Sequence, residues 1–138
     1  METLKDFFKN DRFAAHAGIE LLEVREGYAR ARMPVADMHL NGVSTAQGGA
    51  IFTLADLAFA AAVNSHGTVA VAINVSISFV KAAFTGQTLT AEAQEISRSS
   101  KLASCTVRVT DEKGDLIAIF QGLAFRKSDS LPGMAKPA

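Results

Sequence analysis

A chain of 138 residues is one domain, or one domain with a tail. Lys+Arg and Asp+Glu number 14 each, so the chain lacks the basic face of a general nucleic-acid binder and the polybasic run of a membrane anchor. A hydrophobic share of 49% marks a globular chain, and the single cysteine, Cys105, excludes an intrachain disulfide framework and a cysteine-based zinc site, which points to a reducing, cytoplasmic setting.

The N-terminal residues Met1-Glu2-Thr3-Leu4-Lys5-Asp6 are charged and hold no signal-peptide core. Leu4, Phe7, Phe8 and Ala15 recur at helical spacing, which predicts one short amphipathic helix over 4–15 lying on the body. Residues 18–24 and 28–33 are strand candidates around the turn Arg25-Glu26-Gly27. Residues 34–45 are of mixed polarity and read as a loop, long for a domain this small and so a place to look for function.

Residues 48–65 form a good helix, apolar nearly all round, with stop signals at Asn64 and Gly67. Such a helix must be enclosed by other structure. No apolar stretch reaches the roughly 20 residues of a membrane span, because Asp56 stands in the middle of this one. Val69, Val71, Ile73, Val75, Ile77 and Phe79 then alternate with small and polar residues, which predicts a strand with those six on one face. Strands over 88–96, 103–110 and 116–126 follow, with short turns between them that suit an antiparallel meander. From Ser128 the composition turns to Ser, Pro, Gly and Lys, so 1–127 is read as the domain and 128–138 as a flexible tail.

The order of elements makes an α+β domain, a long antiparallel sheet curled round a central buried helix. One chain this small hardly covers such a helix, so a symmetric oligomer is expected.

Asp56 is the only charged residue between Asp37 and Lys81. An unpaired carboxylate among Leu54, Ala55, Leu57 and Ala58 is costly. It either points to a wet edge or bonds a partner that fixes the fold, or it lines a cleft as general base or nucleophile, where desolvation raises its basicity. Gly48 and Gly49 open the same helix. Its unshielded N–H groups suit an oxyanion or a thioester carbonyl oxygen, and equally a plain loop-to-helix turn uses glycine there. Asp56 lies about 10–11 Å along the axis from Gly49, too far for both ends to serve one carbon from one helix. A pair of antiparallel helices in a two-fold dimer brings such groups together twice.

Asn41 is by composition a turn residue. His39 and His66 read as loop histidines, with no metal signature around them. Cys105 reads as a packed strand cysteine. Lys81, Arg98, Lys101, Arg126 and Lys127 read as surface cations.

The run Asn41-Gly42-Val43-Ser44-Thr45-Ala46-Gln47-Gly48-Gly49-Ala50-Ile51-Phe52-Thr53-Leu54-Ala55-Asp56, with Ala58-Phe59-Ala60 and Asn64-Ser65-His66-Gly67, resembles the hotdog-fold thioesterases, nearest the phenylacetate-pathway thioesterase family. The resemblance implies hydrolysis of acyl-CoA thioesters, of aryl-acetyl or medium acyl groups, with no metal or other cofactor. It implies Asp56 as the carboxylate that activates water or attacks the thioester, Gly48 as the N–H that polarises the carbonyl, and Asn41 as the residue that helps place carbonyl or water. It implies Gln47, Gly49, Phe52 and Phe59 beside the substrate, with Phe52 and Phe59 on the pocket floor. It further implies composite sites across a homodimer and pairing of dimers into a homotetramer. The family has His where this chain has Gln47, and Gln cannot carry the same proton equilibrium. That departure supports a second reading, a non-catalytic acyl-CoA-binding or regulatory protein on the same fold.

Overall fold

The computed structural model describes residues 2–132. Two short helices, α1 (Glu2–Phe8) and α2 (Arg12–His16), precede strands β1 (Glu20–Arg25) and β2 (Tyr28–Pro34) and a single 3-10 turn at Asp37–His39. The long helix α3 (Gly48–Val63) follows, then β3 (Thr68–Phe79), β4 (Thr88–Arg98), β5 (Leu102–Thr110) and β6 (Leu116–Ser130). All six strands form one antiparallel sheet in the order β1-β2-β4-β5-β6-β3. This is the expected hotdog arrangement: the sheet wraps α3.

The packing explains how close the wrap is. Nine residues of α3, from Ile51 to Val63, are buried. The strands face them with Ala29, Ala31, Ala91, Ala93, Ala103, Ala118 and Ala124, none more than 1% exposed. Small side chains let the helix backbone approach the sheet. Phe59 seats its ring on the β6 backbone, where a Cβ added to Gly122 would lie 2.6 Å from Cε1. The end of α3 is pinned by Asn64, whose side chain donates to the Ala60 and Ala70 carbonyls and accepts from the Ala70 N–H. His66 lies in the loop after α3, as expected, and its Nε2 is 3.1 Å from the Glu95 carboxylate of β4.

Four expectations need correction. The helix expected over 4–15 is two helices, because Asp11 caps a new start by accepting the Ala14 N–H at 3.0 Å. The last four strands are not one meander. β4, β5 and β6 are, but β3 pairs with β6 at the sheet edge. Residues 80–87, at roughly 3.3 Å each when extended, are long enough to cross the three strand spacings of about 4.8 Å back to β4. The six apolar residues of β3 do not share a face: the register shifts between Ala72 and Asn74. Val71 pairs with Phe125 on the outer face, while Val75, Ile77 and Phe79 pair with Gly122, Phe120 and Ala118 on the helix side. Finally, the expected tail starts too early. β6 runs to Ser130, and Leu131, 3% exposed, donates its N–H to the Gly67 carbonyl. Residues 133–138 of that tail lie outside the described residues. No helix among the described residues is long and apolar enough to cross a membrane.

Candidate active site

The loop between β2 and α3 is tied at several points. Leu40 and Ala46 form an isolated antiparallel bridge. Between them Asn41 folds the chain on itself: its Oδ1 accepts the Val43 and Thr45 N–H groups at 3.0 and 3.1 Å, and its Nδ2 donates to Thr45 Oγ1 at 2.9 Å. Ser44 takes φ 64°, the left-handed region. Asn41 is thus the turn residue its composition suggests. His39 lies in this loop, as expected, and is buried. Its Nδ1 accepts the Ala36 N–H, its Nε2 donates to the Ala17 carbonyl at 2.6 Å, and its own carbonyl takes the Gln47 N–H at 2.7 Å. The start of α3 is therefore anchored to the end of α2 through one residue.

Gln47 is the N-cap of α3, with φ −65° and ψ 142°, and its side chain makes no cap bond. The side chain folds back instead, with Oε1 3.0 Å from where a Cβ on Gly49 would stand. Gly48 then begins the helix. Its N–H belongs to the unpaired first turn and carries the positive end of the dipole.

A cavity of about 420 Å³ opens at this helix start, lined by Asn41, Thr45, Gly48, Ile51, Phe79 and Lys81, among others. Two of the three residues expected to do chemistry, Asn41 and Gly48, therefore meet in one space. Lys81 sits at its rim, ion-paired to Asp115 at 2.6 Å, with both side chains half exposed. Phe79, Thr45 and Ile51 were not among the expected site residues. Phe79 was legible only as one of six alternating apolar residues, and its direction depends on the β3 register shift.

Asp56 does not line that cavity. It lies on the least covered stripe of α3, together with Gly49, Phe52, Thr53 and Ala60. Among the described residues it has no hydrogen-bond or ion-pair partner, and burial, then the like charge of Asp11, pushes its carboxyl above the usual carboxylate range. An unpaired, partly desolvated carboxylate is a stronger base than an exposed one. The other expected residues separate. Gly49 and Gln47 are exposed. Phe52 is half-buried with its ring centroid 5.4 Å from that of Phe120. Phe59 is 1% exposed and fills the core against Phe120 and Gly122. Cys105 is buried, which pushes its thiol up to about 12 and leaves it inert as a nucleophile.

Among the described residues no group of three His, Cys, Asp or Glu side chains is placed to hold a metal ion. What the arrangement offers is a helix-start N–H in a cavity, a basic carboxylate two turns further along, and beside them a long unpaired edge. Among the described residues β3 pairs on one side only along its twelve residues, with Val71, Ile73 and Phe79 exposed.

Comparisons with known proteins agree on one family. The sequence pattern of the Thioesterase superfamily matches residues 44–118. A provisionally named esterase of Archaeoglobus fulgidus is 43% identical over 133 residues, 96% of this chain and 86% of its own length. The Acyl-coenzyme A thioesterase PaaI of Escherichia coli is 35% identical over 93% of this chain and 91% of its own. The solved structure of that protein, from the phenylacetic acid degradation operon, aligns with a TM-score of 0.88 and covers 91% of each chain. The smu.793 protein of Streptococcus mutans, solved bound to acetyl CoA, aligns with a TM-score of 0.78 at 25% identity over 82% of this chain and 91% of its own.

Proposed function

This chain belongs to the thioesterase superfamily, and from that premise we propose that it hydrolyses acyl-CoA to free acid and CoA at a site shared between two copies. The observation that carries the reading is the division of labour along α3. Gly48 opens a cavity with Asn41 at one end, and Asp56, with no partner among the described residues, stands on the open stripe beyond it.

The thioester carbonyl oxygen accepts the Gly48 N–H, at the positive end of the helix dipole. Asn41 keeps the loop in shape and faces the same cavity. Asp56, raised above an ordinary carboxylate by burial and by Asp11, takes a proton from water as that water attacks the carbonyl carbon. The C–S bond then breaks, and the thiolate leaves with the proton returned from the carboxyl. Direct attack by Asp56 followed by hydrolysis of an anhydride uses the same groups. Gly48 and Asp56 of one chain stand about 12 Å apart along the axis, so each site takes its Gly48 from one copy and its Asp56 from the other. The unpaired β3 edge is where the second copy adds, which covers the open stripe of α3 and the exposed apolar residues of β3. Phe52, half-buried on that stripe, then borders the substrate.

The Gln47 side chain makes no hydrogen bond at the helix start, and this supports the second reading, an acyl-CoA binder without turnover. Release of free thiol from a panel of acyl-CoAs, aryl-acetyl and medium-chain, separates the two. Turnover well above background establishes the hydrolase; saturable binding of the same acyl-CoAs by the folded oligomer without thiol release establishes the binder.

A further inference from the structure

The β3 register shift has a consequence for which acyl groups fit. Before it, Val71 shares the outer face with Phe125; after it, Ile77 and Phe79 share the helix face with Phe120 and Ala118. Strict alternation from Val71 would leave Phe79 on the outer face. The one extra residue turns it inward, the re-aiming that bulges perform beside active sites.

The ring that is turned inward lands on Gly48. A Cβ built on Gly48 would lie 2.9 Å from Phe79 Cζ and 3.3 and 3.4 Å from Cε2 and Cε1. The space beside the Gly48 α-carbon is therefore taken by the ring, and a methyl group placed there would have to displace it. Phe79 is 53% exposed in the single chain, so the core of that chain does not account for its position. The rest of the cavity wall near the glycine includes Thr45 and Ile51, two β-branched residues with few rotamers, and Asn41, held by three hydrogen bonds.

We infer that Phe79 is the specificity wall of this site and selects against thioesters branched at the carbon next to the carbonyl. This rests on the thioesterase reading, with the carbonyl oxygen on the Gly48 N–H. Gly48 and Phe79 line the same cavity, so the inference places the first acyl carbon alongside the Phe79 ring. A CH₂ there is thin enough to pass. A methyl branch needs the kind of space from which the ring already excludes a Cβ.

The test compares butyryl-CoA with isobutyryl-CoA, isomers that differ only in where one carbon sits. The wild-type protein is expected to favour the linear isomer in kcat/KM by about tenfold or more, the scale on which pockets judge a single misplaced carbon. Phe79→Ala is expected to bring the ratio close to unity by raising the branched isomer, and Phe79→Leu to an intermediate value. Phe79→Leu also stands in for the alanine variant if that one fails to fold. Equal wild-type rates on the two isomers overturn the inference, as does an unchanged ratio in both variants or an equal loss on both isomers. The same comparison is made by calorimetry with the ketone analogues S-(2-oxopentyl)-CoA and S-(3-methyl-2-oxobutyl)-CoA, which are not hydrolysed. If the wild type releases no thiol from any acyl-CoA, the hydrolase reading fails. The analogues still decide the wall: linear-over-branched binding that collapses in Phe79→Ala sustains it, and equal binding ends it.

Discussion

Gly48 lines the cavity at the start of α3 and Asp56, eight residues along the same helix, does not. About 12 Å of helix axis separates them, more than one reacting carbon can bridge. If both act in one reaction, they come from different copies.

Mixing two crippled subunits tests this. Asp56→Asn removes the base, and Gly48→Pro removes the helix-start N–H. Gln47 already has φ −65° and ψ 142°, the extended backbone that a following proline requires, so proline fits the chain direction there. The added ring meets Phe79, which has to shift to admit it. Each mutant alone should be inactive while keeping the wild-type oligomer on a sizing column. After joint denaturation and refolding about half of the dimers are mixed and each has one intact site, so activity should return to about one quarter of wild type. No recovery in verified mixed dimers places both groups in a single chain's site.

Asp56→Asn should lower kcat by at least about a hundredfold, the usual scale for a general base, while the protein folds. Its effect on stability has the opposite sign. The folded carboxyl titrates above its ordinary value, so what Asp56 contributes is greatest below the unfolded pKa and is lost as pH rises through the folded one. At neutral pH the charged, desolvated group is a net cost, and the Asp56→Asn variant should melt at an equal or higher temperature than wild type. The gain should shrink as the pH approaches the ordinary carboxylate range. Full turnover in the variant removes Asp56 from the mechanism.

Asp11→Asn probes the basicity of Asp56 without touching the site. Asparagine caps a helix as well as aspartate does, so α2 should persist. The like charge of Asp11 is the second cause, after burial, of the raised Asp56 carboxyl. Its removal should move the acid limb of the kcat/KM profile to lower pH while the plateau changes little. An acid limb that stays in place means that the titration seen in kinetics belongs to another group.

Gly122→Ala should destabilise the fold by about 1–3 kcal/mol, the range for overpacking a tight core. Its Cβ would stand 2.6 Å from Phe59 Cε1, in a ring that also packs against Phe120. Phe59→Leu in the same chain should return part of the loss, and thermal melts of the two single variants and the double close the cycle. Additive losses show that the ring and the glycine do not compete for one space.

The amino-acid sequence alone determines the wrapped helix. A segment apolar on all sides, holding a single carboxylate and followed by alternating strands, has one way to bury itself, and the alanine-rich strands leave it the room. The start and stop of α3 are legible too, because Gly48 and Asn64 act locally. Tertiary structure decided the rest. Phe59 and Phe52 stand seven positions apart on α3, nearly the same face, yet one is sealed against Gly122 and the other half open. That difference is set by which strand lies opposite, and helical periodicity does not record it. Asn41 reaches the cavity of Gly48 only because the loop closes on itself at Leu40 and Ala46. Phe79 reaches it only because one residue in β3 is left out of the ladder, and a period-two pattern carries no mark of where pairing with β6 will slip.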